Sequence, residues 1–297
     1  MSLIFIVSFL IMPSAAASAA KDALDMCLVS VIPALFPFMA AAKCAVLCGD
    51  LPEDNFVFCL VSKIFNIPLP GVLSLFFGLL CGYPVGAKTA FDLYLEGRIT
   101  KKDALKLACF ANNAGPAFVI AAVGSGFLKN TAYGVLIYLC HIFGSLAVGF
   151  IIRGKEPPAS RGGGKRIRAS LFEVIPAAVS DSVSGILNVS GTIIFFAVLY
   201  TVISSPLSLL LKSGAEKAML AGFFEITSGI RLLSRENIYL PLKLSLICFL
   251  TGFSGLSVIF QTKAFAGRAD IKTAPCVLCK LLSAFISSVL CFAVSIF

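Results

Sequence analysis

Apolar runs long enough to cross a bilayer recur along this chain, and no other feature restricts its fold as much. Residues 26–48, 131–152, 185–211, 240–265 and 275–297 are such runs, each near the roughly 20 apolar residues that a membrane helix needs. Within hydrocarbon every backbone N–H and C=O must find a partner inside the protein, so runs of this length read as helices. The chain is 59% hydrophobic and 13% charged, with a mean hydropathy of +0.98. Soluble domains sit near half apolar and a quarter charged. The expectation is an all-α, polytopic membrane protein of about eight helical spans at roughly 20 residues each, with the lipid bilayer as its partner. Trp is absent and Phe numbers 27, so any aromatic belt consists of Tyr and Phe.

Two stretches, 71–95 and 107–128, carry helix-breaking clusters in their middles. The first holds Gly82-Tyr83-Pro84-Val85-Gly86 and the second Asn112-Asn113-Ala114-Gly115-Pro116. Gly and Pro there cannot continue a regular helix. A third break, Thr251-Gly252-Phe253-Ser254-Gly255, interrupts 240–265. In a membrane, freed backbone groups are tolerated only where they are buried in protein or line a cavity. Broken helices near the midplane point to a transporter's binding site. The three breaks are therefore expected to converge on one polar cavity. Gly82, Tyr83, Pro84, Gly86, Asn112, Asn113, Gly115, Pro116, Gly252 and Ser254 are candidate substrate-binding residues.

Residues 3–20 read either as a signal peptide or as an uncleaved first helix. Pro33 and Pro37 break or kink the run that follows, and Asp50 to Asp54 make an acidic loop. Residues 55–70 are mixed and read as lying near an interface. Residues 96–106 have a basic excess, and 153–168 (RGKEPPASRGGGKRIR) read as a flexible basic linker. Both segments are expected on the cytoplasmic side. Net charge is +9, from the positive-inside rule, an attraction for anionic solute, or both. A nucleic-acid arm at 153–168 would need interleaved aromatics, so no nucleic-acid partner is expected. Residues 169–184 look amphipathic, ahead of the span 185–211.

The chain thus divides into a membrane repeat at 1–152, the linker at 153–168 and a second repeat at 169–297. One constant offset places Gly82, Gly97, Arg98, Lys102, Ala104 and Cys109 on Gly252, Gly267, Arg268, Lys272, Ala274 and Cys279. A second places Asp22, Leu28 and Phe36 on Asp181, Leu187 and Phe195. These matches predict two related halves, parallel or inverted.

Several side chains could carry chemistry. Lys88, Asp92 and Glu96 share one helix face. They are a self-paired charged strip, or Lys88 meets an anionic solute beside Thr89. The stretch from Gly82 to Thr89 has Ala87 where a phosphate-binding loop needs Gly, and no strand precedes it, so ATP hydrolysis is not expected. Asn112 and Asn113 serve a ligand or satisfy the helix break itself. Glu225 lies deep in the apolar segment 218–234, beside Thr227 and Ser228. An intramembrane carboxylate is functional by default, and pairing with Arg231 or Lys217 is the structural alternative. His141, the one histidine, reads as a helix–helix hydrogen-bond partner. The eleven cysteines behave as small apolar residues, the Cys276–Cys279 spacing included. Nothing here resembles a nucleophile–base set, a metal site or a cofactor motif, so the expectation is not an enzyme and no cofactor.

GLLCGYPVGAKTAFDLYLEGRIT followed by ACFANNAGPAFVIAAVG resembles the YlbJ-type sporulation integral membrane proteins. SVIPALFPFM at 30–39 and GFFEITSG at 222–229 are similar to further stretches of that family. The resemblance implies a nucleoside-recognition (Gate) domain, similar to parts of concentrative nucleoside transporters. It implies a carrier in the bacterial cytoplasmic or outer forespore membrane, moving a small anionic or heterocyclic solute such as dipicolinate during sporulation. Nucleoside carriage, or a non-transporting scaffold role beside other sporulation membrane proteins, are the alternatives it leaves.

Overall fold

The structure is a computed structural model, and it describes residues 12–49, 55–154, 170–207 and 211–296. Most of the candidate first helix's leading half, the acidic loop and nearly all of the linker lie outside the described residues. Every regular element among the described residues is helical. α1 (Pro13–Met26) passes through a π-helical turn (Cys27–Val31) into α2 (Ile32–Cys48). Pro33 cannot donate to the carbonyl one turn back, and the wide turn just upstream takes up this mismatch. The prolines therefore deform the run without ending it, and Pro13–Cys48 reads as one spanning helix.

Next come α3 (Phe56–Phe65), α4 (Val72–Leu80), α5 (Val85–Leu95) and α6 (Lys101–Phe110). A π-helix (Ala117–Phe127) and α7 (Thr131–Ile151) complete the first half. The second half has α8 (Leu171–Leu207), α9 (Gly214–Phe224), α10 (Ile226–Arg235), α11 (Leu240–Phe253), α12 (Gly255–Arg268) and α13 (Ala274–Ile296). α8 joins the amphipathic segment and the span that the sequence suggested as separate pieces. No Gly–Pro cluster stands between them to divide it.

Five helices among the described residues are long and apolar enough to cross a membrane, or six if the pair Phe56–Phe65 and Leu69–Leu80, bent by 98°, counts as one. The expectation of about eight counted as whole spans segments that the structure breaks. α5, α6, α9 and α10 have 10 or 11 residues each, about 16 Å of helix against a core of about 30 Å.

Two of these segments double back. Ser74 Oγ on α4 donates to Gly86 O on α5 at 2.8 Å, so the chain folds over itself at Tyr83. α9 and α10 reverse at Glu225, where a Cβ on Gly229 would stand 2.1 Å from Gly222 Cα. Only hydrogen-sized side chains allow that approach.

One end of the bundle gathers basic residues. Arg98 donates to Val46 O and Gly49 O (2.9 and 3.2 Å), and Lys106 to Asn66 O and Arg153 O (2.7 and 2.5 Å). Lys101 pairs with Asp270 at 3.2 Å. Toward the other end Leu128, Tyr133, Ala215 and Ile238 all border the second apolar core. The α4–α5 turn thus enters from the basic end and the α9–α10 turn from the opposite one. The two apolar cores each mix residues from both sides of the linker. Phe91 and Phe110 share one with Ile186 and Phe265, and Ile137 shares the other with Ile230 and Ile247.

Candidate functional site

The breaks occur where the local sequence cannot sustain a helix, and they meet. A Cβ on Gly82 (φ +87°) would lie 2.7 Å from Gly115 N, so the first two breaks touch through bare backbone. At the third, Ser254 and Gly255 take φ of 71° and 74°, parting α11 from α12. Gly255 faces the tip of the α9–α10 turn, with Gly222 O and Ile226 N 3.0 and 3.3 Å from where its Cβ would stand. Asn112, Ser254, Thr262, Thr273, Cys276 and Lys280 line a small cavity of about 10 Å³ at this meeting point. That is room for about one water.

The Asn112–Pro116 loop is held from several sides. Asn112 Nδ2 donates to Thr262 Oγ1 at 2.9 Å, and the Asn112 carbonyl accepts from Lys280 Nζ. Asn113 Nδ2 donates to Phe110 O at 2.9 Å, tying off the end of α6. His141 Nε2 accepts from Ala114 N at 3.0 Å, so His141 pins the break loop to α7 where the sequence suggested a bond between two helices. Pro116 opens the π-helix. Gly86 packs against the same loop, with Ala111 O 2.0 Å from where its Cβ would be. Gly252 lies against α13 at Ala284.

Several polar atoms here are buried without a partner: Tyr83 Oη, Asn112 Oδ1, His141 Nδ1 and Ser257 Oγ. Buried polar groups are paired in the great majority of proteins, and those that are not call for a reason. Glu225 is 3% exposed, and its carboxylate accepts from Thr227 N and Ser228 N at 3.0 and 2.8 Å. It therefore caps α10, where the helix dipole favours negative charge. Neither Arg231 nor Lys217 pairs with it.

Lys88 is elsewhere. Its ammonium is bound by Asp92 (2.6 Å) and Asp181. Lys43 joins Asp92 and Glu96 at 3.5 and 3.4 Å, and Arg268 joins Asp181 at 3.1 Å. This network ties α2, α5, α8 and α12 together, and Lys88 does not line the cavity. The self-paired alternative for Lys88 is the structural one, with Asp181 as a partner that spacing along one helix does not reveal. Thr89 Oγ1 donates to Val85 O in its own helix.

The cation at the cavity is Lys280, 6% exposed on α13 and absent from the residues expected at the site. Like Glu225, it is an ionisable residue inside an apolar run. All eleven cysteines are free. Cys109 and Cys276 approach to 3.4 Å beside the cavity. Among the described residues no group of His, Cys, Asp or Glu is placed to hold a metal.

No protein-family model matches the chain, and no solved structure matches it. The chain is 30% identical over 316 aligned positions to the sporulation integral membrane protein YlbJ of Bacillus subtilis (strain 168), covering 93% of this chain and 77% of that protein. With its apolar spanning helices, this makes it an integral membrane protein that belongs to the YlbJ family.

Proposed function

We propose that the protein is a carrier for a small anionic or heterocyclic solute, of the dipicolinate type, acting during sporulation in the cytoplasmic or outer forespore membrane. The observation that carries this is the cavity at the meeting of three helix breaks inside an apolar bundle, lined by Lys280 and by Asn112 with its unpaired Oδ1. Such polar groups cost several kcal/mol each in hydrocarbon when unsatisfied, and a solute that completes their hydrogen bonds explains their presence. The order of elements supports the same view. A doubled-back pair, a broken span and a whole span occur twice, entered from opposite ends. That is the pattern of inverted repeats around a central site, and it pairs Tyr83 with Glu225 and Asn112 with Ser254. It fits the Gate and nucleoside-carrier resemblance.

The protein works without chemistry on its solute and without ATP hydrolysis. Transport is facilitated, ion-coupled or driven through another sporulation membrane protein. The cavity has room for about one water, so this is a closed form and the solute enters when the elements around it part. That closure also favours a second reading, a scaffold in which the breaks serve only packing. Uptake by the purified protein in liposomes decides. Saturable uptake of dipicolinate above nucleosides and above empty liposomes is expected. Nucleoside uptake in its place assigns the substrate to the alternative, and no uptake of either leaves the scaffold.

A further inference from the structure

The Lys280 ammonium has three N–H donors. One goes to the Asn112 carbonyl, and the nitrogen lies 5.7 Å from the centroid of the Tyr83 ring. No carboxylate among the described residues is within ion-pair distance of it. A buried cation normally has a paired anion. The protein observes that rule at Lys88, with two carboxylates, and departs from it at Lys280. Two ammonium protons are left for the cavity that Lys280 lines.

Other groups there share the same preference for negative charge. Ser254, immediately before α12, lines the cavity together with Ile259 and Thr262, so the cavity lies along the first turns of that helix. The N–H groups of a helix's first turn have no partner within the helix, and its dipole is positive at that end. Ser257 Oγ, in the same turn, and Tyr83 Oη, beside Lys280, are buried donors without acceptors. Asn112 Oδ1 is the complementary case, a buried acceptor without a donor.

We propose that Lys280 and the N-terminal turn of α12 form a carboxylate-binding subsite, and that Lys280 selects a charged solute over its neutral analogue. A carboxylate entering the opened cavity takes the two free ammonium protons and the donors of α12. Asn112 Oδ1 is left to accept from the solute or from a water it carries. Tyr83 supplies a flat face against which a planar heterocycle can stack. Lys280 would then be a specificity-determining residue, and its bond to Asn112 O the contact it keeps in the closed form.

This rests on the carrier reading, and the test separates the two. Equilibrium binding of dipicolinate and of its uncharged diamide is measured on the purified full chain in lipid nanodiscs, with uptake of both in liposomes. The wild type is expected to prefer the dianion. Lys280→Gln should lose roughly 10- to 100-fold in dipicolinate affinity, the value of a hydrogen bond to a charged group, with little change for the diamide. Lys280→Arg should keep most of the preference. A lysine that merely caps α6 would leave the ratio of the two affinities unmoved. Equal affinities in the wild type, or an unchanged ratio in Lys280→Gln, overturn the subsite even if uptake is robust. Should Lys280→Gln not fold, the wild-type ratio and Lys280→Arg still decide. Binding with the expected ratio but no uptake upholds the subsite and removes the carrier reading. Absence of any dipicolinate binding removes the subsite.

Discussion

Glu225 carries two duties that its variants can pull apart. As the cap of α10 it accepts two backbone N–H groups. As a buried carboxylate inside an apolar bundle it is a candidate for coupling solute to protons. Glu225→Gln keeps an amide oxygen for one of those N–H groups but removes the charge. It should insert, fold and melt near the wild type while losing uptake, or losing the pH dependence of uptake. Glu225→Ala loses the cap as well, and should destabilise by a further ~1 kcal/mol. Wild-type uptake with unchanged pH dependence in Glu225→Gln would leave the residue with the cap alone. Gly86 poses a steric question instead. A methyl there meets Ala111 O, so Gly86→Ala must push α5 away from the Asn112–Pro116 loop. We expect a loss of about 1–3 kcal/mol, as for other overpacked sites, read as a lower midpoint in thermal unfolding. A midpoint equal to the wild type would show that the two breaks are free to separate.

At the scale of elements, the charge network and the cavity divide the two buried lysines by role. Lys88→Met removes the cation between Asp92 and Asp181, but Lys43 and Arg268 still face those carboxylates. Breaking a fully buried pair costs roughly 3–5 kcal/mol, and with partial replacement the expected loss is nearer ~2 kcal/mol. The dianion preference should survive in Lys88→Met and fall in Lys280→Gln. The reverse result would return Lys88 to the solute. The breaks were legible in the sequence because Gly and Pro carry their own backbone signal, and Gly82, Gly115 and Gly255 do sit at close approaches. Asn112 was legible through the same cluster. Lys280 was not, because one charge scarcely alters a run of 23 helical residues. The reversal at Glu225 was also missed, since the glycines that permit it, Gly222 and Gly229, lie in the two arms and not at the turn. The letter match that sets Gly82 on Gly252 pairs a doubled-back turn with a kinked span. Two glycines placed for different reasons are indistinguishable as letters.

The whole molecule has a direction, set by where its basic residues collect. Arg98, Lys101, Lys106 and Arg153 reach one end through carbonyls and Asp270, and the basic linker leaves from that end at residue 153. Lysines and arginines near spanning segments are held on the cytoplasmic side, so the expectation is that the α4–α5 turn lies on the cytosolic approach to the cavity and the α9–α10 turn on the outer one. Two exposed lysines mark the ends: Lys101 at the start of α6 and Lys129 just before α7. Between them the chain runs through α6, the break and the π-helix, which are expected to make one passage together. A cysteine at Lys129 should react with an impermeant maleimide added to intact cells, and a cysteine at Lys101 only after the membrane is opened, each measured above the wild-type signal from the native thiols. Labelling of Lys101→Cys from outside would invert the molecule and exchange the two approaches. Labelling of both from the same side would mean that α6 and the π-helix do not cross together. The three breaks would then not meet at the midplane, and the inverted arrangement on which the carrier reading leans would be lost with it.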